Sequence, residues 1–268
     1  MSPGARLGQH FLTHPDILER IVAALEPVAT DVVLEIGAGT GSLTAVLARR
    51  VGRVVAIERD RRLAAALAAA PPPRGAAIEV VAGDALRLDW HRLVAAPGAP
   101  APSFKIIGNI PYQITSPLIA KALTPPFPQR VVFLVQAEVA ARLAAAPGSK
   151  TYGALSVGVQ ALCRVERLFP VPAGAFRPPP RVASALVRLV PLAPPLVAPG
   201  ELAAFRAFVA RCFSRRRKQL RNVVMAATGA PASVVRDGLV ALGLDPAARP
   251  ETLGPEAFVR LLRWSAGL

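Results

Sequence analysis

An Asn-Ile-Pro-Tyr tetrapeptide at residues 109–112 follows the apolar run Lys105–Gly108. The side-chain carbonyl of Asn109 and the main-chain carbonyl of the next residue or of Pro111 can each accept one N–H of an amine on a planar ring, which aims the nitrogen lone pair at an electrophile. The ring of Tyr112 can stack on the same planar group. The tetrapeptide is therefore suited to methylation of an exocyclic amine such as that of adenine, although the same residue types are also typical of a tight turn.

A glycine-rich loop lies upstream, between the apolar run Asp31–Ile36 and an apolar helical pattern that begins near Ser42. The run predicts a short buried strand of the parallel type. The loop has G-x-G-x-G spacing, with glycines at Gly37, Gly39 and Gly41. A dinucleotide fingerprint would need glycine at position 42, and the Gly-Lys-Ser/Thr of a phosphate-binding P-loop is absent. With a glutamate just before it, the loop favours a methyltransferase whose main chain approaches the methionine part and ribose of S-adenosylmethionine.

Two carboxylates follow the next two predicted strands. Glu58 ends the run Arg53–Ile57, about twenty residues beyond the loop, where a carboxylate is expected to bind ribose hydroxyls. Asp84 comes after the run Ile78–Ala82, where it is placed to accept from the adenine amine of the cofactor. Each acid alone is also typical of a solvated loop. The glycine loop and these two carboxylates follow three successive predicted strands. Such an order is hard to obtain by chance and supports the methyltransferase interpretation.

Segments spread over nearly the whole chain resemble the KsgA-type ribosomal RNA adenine dimethyltransferase family. They lie at residues 8–12, 35–44, 57–60, 83–85, 109–112, 136–139, 149–157, 176–182 and 215–222. The Gly-Gln-His-Phe-Leu start combined with Phe-x-Pro-Pro-Pro is the most restrictive feature. The resemblance implies an α/β fold, with a Rossmann-like S-adenosylmethionine-dependent methyltransferase sheet and a small all-α C-terminal domain. It also implies S-adenosyl-L-methionine as the cofactor.

The resemblance also assigns roles to individual residues. Cofactor contacts are implied at His10, Leu12, Gly37, Gly39, Glu58, Asp84 and Asn109. Many relatives carry Asn at the position of His10, so a main-chain contact is expected there more than a side-chain contact. Catalytic roles are implied for Asn109, Pro111, Tyr112 and Phe176. Phe176 is expected to face Tyr112 across the target base from a stiff Phe-Arg-Pro-Pro-Pro loop, although a lone Phe is also typical of a core.

The activity implied is N6,N6-dimethylation of two neighbouring adenines in a hairpin near the 3′ end of small-subunit (16S) ribosomal RNA, during subunit assembly. One alternative is an Erm-type enzyme that methylates large-subunit (23S) RNA and gives macrolide resistance, but segments 149–157, 176–182 and 215–222 look more like the small-subunit group. A second is a non-catalytic RNA-binding assembly factor, against which the intact glycine loop argues. A third is methylation of a protein glutamine at an Asn-Pro-Pro-Tyr site, which Ile110 and the basic C-terminal stretch disfavour.

Composition indicates a polyanionic partner. The chain carries 32 Lys and Arg against 17 Asp and Glu, a formal net charge of +15. Such a chain is expected to seek polyanions such as RNA. The candidate RNA-binding residues fall within one predicted helical stretch, and they are Arg215, Arg216, Arg217, Lys218 and Arg221. A solvated basic face or an Arg-rich composition would produce the same pattern.

The chain divides at a Pro-rich stretch, residues 191–200. We predict a Rossmann-like methyltransferase domain at 1–192, with an N-terminal segment that covers the cofactor, and a helical RNA-binding domain at 193–268. The helices predicted in the second domain are Leu202–Ser214, Arg216–Thr228, Ala232–Leu242 and Pro255–Trp264.

Targeting and metal-binding patterns are missing from the sequence. The first residues lack an apolar signal core, and no stretch reaches the roughly 20 apolar residues of a membrane span without Pro or Arg interrupting it. Cys163, Cys212 and the three histidines have no metal-ligand spacing. We therefore predict a cytoplasmic protein with no metal and no membrane partner, and the family resemblance implies a monomer.

Overall fold

The computed structural model describes residues 10–71, 76–95 and 103–267. They form two compact units: the first holds the described residues up to Ala140 together with Glu166–Pro191, and the second holds Ala141–Val165 and the residues from Leu192 onward. The second unit thus takes in 141–165 besides the C-terminal part, and the assignment of RNA binding to residues 193–268 stays a prediction. Gly8 and Gln9, which belong to the matching segment 8–12, lie outside the described residues.

The first unit is built on a seven-stranded sheet with the order β4-β3-β2-β5-β6-β9-β7. Strands β2 to β6 run parallel, and β9 is antiparallel to β6. A separate two-stranded sheet pairs β1 with β8 in antiparallel fashion. The strands are β1 (Phe11–Leu12), β2 (Val32–Ile36), β3 (Arg53–Glu58), β4 (Ala77–Ala82), β5 (Phe104–Asn109), β6 (Arg130–Gln136), β7 (Cys163–Val171), β8 (Phe176–Arg177) and β9 (Ser184–Pro191).

One helix precedes β2, one helix follows each of the parallel strands β2 to β5, and one follows β6. They are α1 (Pro15–Ala24), α2 (Ser42–Leu47), α3 (Arg61–Ala69), α4 (Trp90–Val94), α5 (Thr115–Ala122) and α6 (Ala137–Leu143). Helix α1 starts with proline at its first position, where the missing N–H costs nothing, and it buries one apolar face. Helix α3 begins at a side-chain cap, since the Asp60 carboxylate accepts from the main-chain N–H groups of Arg62 and Leu63.

The order of the sheet reverses between β2 and β5. From β2 the chain moves outward to β3 and β4 and then returns to the other side of β2 as β5. Ligands of open α/β sheets bind outside the carboxyl ends of the strands at such a switch point. The register pairs Ile36 with both Ile57 and Gly108, so the three strands end level with one another. Gly108 is required there, because a Cβ on it would lie 2.5 Å from the carbonyl oxygen of Ile36.

The second unit is helical in its C-terminal part. Its helices are α7 (Ala154–Gln160), α8 (Leu202–Ser214), α9 (Leu220–Thr228), α10 (Ala232–Ala241) and α11 (Pro255–Ser265). Aromatic side chains fill its interior, and Phe205, Phe208 and Phe258 are fully buried. Tyr152 is buried as well and donates its phenol O–H to the Leu253 carbonyl over 2.9 Å. Within the described residues, no single helix has the length and apolar content to cross a membrane; α9 and α10 together do, but they meet at a bend of 117°.

The predicted helix Arg216–Thr228 is wrong at its start, and the basic residues do not share one helical stretch. Helix α8 ends at Ser214, and a turn closed by Lys218 N–H on the Arg215 carbonyl (2.9 Å) precedes α9. The reason lies in long-range pairing. The N–H groups of Leu220 and Arg221 donate to the carbonyls of Ala248 and Pro246 over 2.7 and 3.1 Å, which satisfies the first turn of a new helix.

Candidate functional site

A cavity of about 310 Å³ opens at the carboxyl ends of β2, β3, β4 and β5, and residues that follow each of these strands line it. Most of the residues predicted from the sequence meet there: His10, Gly37, Gly39, Glu58, Asp84, Asn109, Pro111 and Tyr112. Leu12 lines a smaller recess of about 40 Å³ that shares walls with the first at Gly37, Gly39 and Asn109. The structure thus brings strand ends that are far apart in the sequence to one concave site.

The glycine loop leaves room for a ligand because its main chain takes left-handed conformations. Gly37, Gly39 and Gly41 have φ values of 75°, 56° and 83°. A Cβ on Gly39 would also lie 3.0 Å from the ring of Phe11. Side chains are therefore excluded at these positions by backbone conformation, and at Gly39 also by close approach.

Glu58 is held rigidly at the end of β3. Its Oε2 accepts from the N–H of Gly39 and its Oε1 from the N–H of Asp60, each over 2.8 Å. The residue is 4% exposed. A carboxylate has about four acceptor positions, so both oxygens retain capacity for hydroxyl donors in the cavity. The bond from Gly39 also ties the glycine loop to β3.

A second carboxyl, Glu35, lies beneath the loop and was not among the predicted site residues. It is 1% exposed, and its Oε2 accepts from the Thr44 hydroxyl over 2.7 Å. Burial raises the pKa of Glu35 to about 7, opposed by the Thr44 hydrogen bond and reinforced by the nearby charge of Glu58. Glu35 also lines the smaller recess.

Asp84 sits on a tight loop after β4. Its Oδ1 accepts from the main-chain N–H of Leu86 over 3.0 Å, and its carbonyl accepts from the N–H groups of Arg87 and Leu88. Gly83 and Ala85 line the cavity beside it. The loop therefore presents one carboxylate between two small residues at the cavity wall.

The orientation of the Asn109 amide is set by the N-terminal segment. Its Nδ2 donates to the main-chain carbonyl of His10 over 2.8 Å. This contact uses an N–H of the amide, so the amide oxygen Oδ1 remains as the acceptor on a residue that lines the cavity. His10 thus contacts Asn109 through its main chain. The ring Nδ1 of His10 lies 2.8 Å from the carbonyl of Pro178.

Tyr112 is half-buried and held at both ends. Its hydroxyl lies 2.7 Å from the Ser184 hydroxyl at the start of β9. Its ring stacks on that of His10 with centroids 6.1 Å apart and planes at 30°. Phe176, by contrast, is fully buried in the core of the first unit and is not part of the cavity lining; in β8 it pairs with Leu12. The expected placement of Phe176 across the target base from Tyr112 stays a prediction.

The five candidate RNA-binding residues differ in exposure and in their contacts. Arg215, Arg217 and Lys218 are exposed. Arg216 is committed to the protein: its guanidinium pairs with the Glu251 carboxylate and donates to the Lys150 carbonyl over 2.9 Å. Arg221, at the start of α9, is half-buried.

Sequence reasoning missed several cavity residues. Phe11, Arg59 and Gln113 line it, and each is the immediate neighbour of a predicted residue. Phe11 and Arg59 lie in the matching segments 8–12 and 57–60, whereas adjacency in the chain was the only signal for Gln113. Within the described parts of the chain, no group of three or more His, Cys, Asp or Glu side chains is arranged to hold a metal ion.

Comparison with known proteins gives closely related sequences. Residues 4–237 match the family described as ribosomal RNA adenine dimethylase. A curated protein of Acidithiobacillus ferrooxidans named ribosomal RNA small subunit methyltransferase A is 43% identical over 257 residues, which cover 96% of this chain and 92% of that protein. The protein of the same name from Bordetella avium is 42% identical, with the same coverage of each chain.

Solved structures agree. A dimethyladenosine transferase from Plasmodium falciparum superposes with a TM-score of 0.79 at 28% identity, covering 94% of this chain and 96% of that one. The 23S rRNA methyltransferase ErmE superposes with a TM-score of 0.70 at 28% identity, covering 96% and 99%. The fold is thus a Rossmann-like methyltransferase sheet with a helical C-terminal portion. With the family match over most of the sequence and relatives above 40% identity over nearly its whole length, the chain belongs to the ribosomal RNA adenine dimethylase family.

Proposed function

We propose that this protein is an S-adenosylmethionine-dependent enzyme that dimethylates N6 of two adjacent adenines in the 3′-terminal hairpin of small-subunit (16S) ribosomal RNA during ribosome assembly. The observation that carries the proposal is the Asn109 amide. One of its N–H groups donates to the His10 carbonyl, and this orients the amide so that Oδ1 can accept from an amine at the switch point of a methyltransferase sheet. The small-subunit relatives, at 42–43% identity, supply the substrate class.

The residues of the cavity fit S-adenosyl-L-methionine. The glycine loop has left-handed main chain where side chains are excluded, as close approach of a nucleoside requires. Glu58 offers unused acceptor positions for the ribose hydroxyls, and Asp84 would accept from the adenine amine. A volume of about 310 Å³ is at the lower end of the range for small-molecule sites. When bound, the cofactor supplies an electrophilic methyl group on a sulfonium.

The chain's own residues position the target amine. Oδ1 of Asn109 accepts one of its N–H groups. The second acceptor is the Ile110 carbonyl, because the Pro111 carbonyl already accepts from the N–H of Ile114 over 3.1 Å and from the Thr115 hydroxyl over 3.3 Å. Both N–H groups are then directed away from the nitrogen lone pair, which is withdrawn from ring conjugation. Pro111 stiffens the segment, and positioning rather than a strong base lowers the barrier.

The ring of Tyr112 is the stacking surface for the target base. Its phenol is held by Ser184 and its face by His10, so its orientation is set before the base arrives. A base must leave its own stack to reach this ring, which favours unpaired or splayed adenines. Phe176 would take part only if its ring left the core.

RNA would be held by the basic turn of the second unit, through the exposed Arg215, Arg217 and Lys218, with Arg221 beside them and Arg216 fixing the turn. Contacts of this kind neutralise phosphates and carry no sequence information. We propose that the partner is ribosomal RNA within the assembling small subunit, and that the enzyme acts in the cytoplasm as a monomer without a metal.

The test supplies methyl-labelled S-adenosylmethionine with unmodified small subunits and, in parallel, unmodified large-subunit RNA, and the RNA is then digested to nucleosides. Label in N6,N6-dimethyladenosine from small subunits alone is the expected result. Label confined to large-subunit RNA would assign the protein to the function named for ErmE, which is the structural relative at a TM-score of 0.70. No label in either, despite cofactor binding, would favour a non-catalytic assembly factor.

A further inference from the structure

We propose that Lys121 is a positioning residue of this site, which holds the Asp84 loop in the shape that binds the nucleoside end of the cofactor. The inference rests on the proposed cofactor contact of Asp84. Lys121 lies on α5, which begins three residues after Tyr112, the last residue of the Asn-Ile-Pro-Tyr tetrapeptide. It does not line the cavity and belongs to none of the motifs described above.

The ammonium of Lys121 reaches across to the loop after β4. Its Nζ donates to the carbonyl of Leu86 over 2.8 Å and to the carbonyl of Leu88 over 2.6 Å. These two acceptors lie two and four residues beyond Asp84. A single charged donor therefore closes the loop from outside, where both carbonyls would otherwise need other partners.

The loop is also held from its far end by Trp90. The indole Nε1 donates to the carbonyl of Ala85 over 2.8 Å, and Lys121 Nζ lies 5.2 Å from the centre of the Trp90 ring. Lys121, Trp90 and the loop carbonyls thus form one connected group beside Asp84. Ala85 belongs both to this group and to the cavity lining, so a shift of the group moves the cavity wall.

The cation is partly withdrawn from water, which ties its position to these contacts. Burial lowers the pKa of Lys121, and the charges of Asp89 and Asp84 oppose that effect. A charged ammonium in such surroundings needs its hydrogen bonds to the loop carbonyls. Removal of the ammonium should therefore alter the conformation of the Asp84 loop. Tyr112 lies in the 3₁₀ turn Tyr112–Ile114 that leads into α5, and Lys121 lies near the other end of α5, so this stretch links the target-base side of the cavity to its cofactor side.

The test is Lys121→Met, which keeps the length and apolar stem and removes the charge. We expect the dissociation constant of S-adenosylhomocysteine, measured by calorimetry, to rise about tenfold, and KM for S-adenosylmethionine to rise with it. The expected kcat at saturating cofactor stays within about twofold, and KM for the small subunit is unchanged. Lys121→Arg, which retains charge and donors, should recover most of the affinity. Arg92→Met removes an exposed cation on α4 and should leave all constants unchanged.

Unchanged cofactor affinity in a folded Lys121→Met protein overturns the inference, as does a fall in kcat with unchanged cofactor affinity. Asp84→Asn separates this failure from that of the proposed site. If Asp84→Asn weakens binding and Lys121→Met does not, only the inference fails; if neither does, the cofactor role of Asp84 fails as well. Should Lys121→Met not fold, Lys121→Gln, which keeps a neutral donor, is expected to show a smaller loss of affinity, and no loss would again contradict the inference.

Discussion

Two hydrogen bonds decide what Asn109 and Tyr112 offer to a target base. In one, the Asn109 amide donates an N–H to the His10 carbonyl. The other joins the Tyr112 phenol to the Ser184 hydroxyl. Neither partner belongs to the tetrapeptide. The chemistry of the motif therefore depends on side-chain orientations that are imposed by β9 and by the segment before α1.

Asn109→Ala should lower kcat about 100-fold, because a positioned acceptor for the reacting amine is lost. The dissociation constant of S-adenosylhomocysteine should change far less, and the melting temperature should stay near that of the parent protein. Single-turnover methylation of small subunits measures the first quantity, and calorimetry the second. Full activity of the variant would mean that Asn109 does not hold the amine.

Tyr112→Phe and Ser184→Ala remove the same hydrogen bond from its two ends. We expect each to slow methylation about threefold to tenfold, and the double variant to be no slower than the slower single one, because coupled residues are not additive. Tyr112→Ala should cost about 1 to 3 kcal/mol through loss of stacking and should appear in KM for RNA. Additive effects in the cycle would mean that the hydroxyl contact does not orient the ring.

Glu35 predicts a pH dependence of stability. Its pKa is raised from 4.5 to about 7 in the fold, so the folded state binds the proton more tightly than the unfolded state. The extra stability from the protonated carboxyl is fully present below about pH 4.5 and is lost as pH rises through 7. The free energy of unfolding should fall by about 3 kcal/mol over this range. In Glu35→Gln, which cannot ionise, this decline should disappear. Urea unfolding of both proteins from pH 5 to pH 8 tests it, and parallel curves would contradict it.

Among the elements, strands were easier to predict than helix ends. The apolar runs that became β2, β3 and β4 are short and end in Gly or an acid, so both the strand and the residue it delivers could be read locally. The break between α8 and α9 has no local signal, since residues 215–219 contain neither Gly nor Pro. It arises from carbonyls near residue 247, which a local pattern cannot show.

Some parts of the site were out of reach for a similar reason. Lys121 contacts main-chain carbonyls about 35 positions away, and carbonyls carry no sequence signature. Phe176 was expected at the target base because of its motif, whereas packing against β1 and the core decides where its ring lies. The motifs pointed to acceptors and carboxylates that the structure places along the cavity, and tertiary contacts determine which of their atoms are already hydrogen-bonded.

Helix α10 packs so closely that one methyl group should disturb it. A Cβ on Gly238 would lie 2.0 Å from the ring of Trp264 on α11. Gly238→Ala should therefore destabilise the protein by about 1 to 3 kcal/mol through overpacking. Gly158→Ala on α7 is the matched control, because a Cβ there meets nothing within 4 Å and alanine favours a helix by about 0.5 to 1 kcal/mol. Equal unfolding midpoints for the two variants would contradict the packing argument.

At the scale of the molecule, the net charge of +15 makes RNA affinity sensitive to salt. The double variant Arg217→Ala, Lys218→Ala should weaken binding to small subunits and lower the slope of log affinity against log salt by roughly one to two. Arg236→Ala, which removes an exposed cation paired with Asp237, is the control. A slope that falls equally in the control would mean that general charge, and not the turn, binds RNA.

Arg216 should behave differently from its neighbours. Arg216→Ala leaves the Glu251 carboxylate and the Lys150 carbonyl without their partner, so we expect a lower unfolding midpoint along with weaker RNA binding. Thermal unfolding of Arg216→Ala beside Arg217→Ala distinguishes the two roles. Equal midpoints would place Arg216 among the free cations of the turn.

The division into compact units was only partly visible in the sequence. The Pro-rich stretch marks one boundary, but the first unit also closes at Ala140 and resumes at Glu166. No change in composition marks the segment 141–165, which belongs to the second unit. Tertiary contacts place its residues in the second unit, as with Tyr152, whose phenol donates to the Leu253 carbonyl there.

The contact between Asn109 and position 10 has an evolutionary consequence. Because a peptide carbonyl receives the amide, every amino acid at position 10 brings the same acceptor, and selection on methyl transfer does not act through that contact on the side chain. The residue at position 10 can therefore affect the reaction geometry through the stacking of its side chain on Tyr112, but not through the acceptor that it offers to Asn109. Asn109 has no such freedom, since its partner recognises an amide N–H that few other side chains could supply.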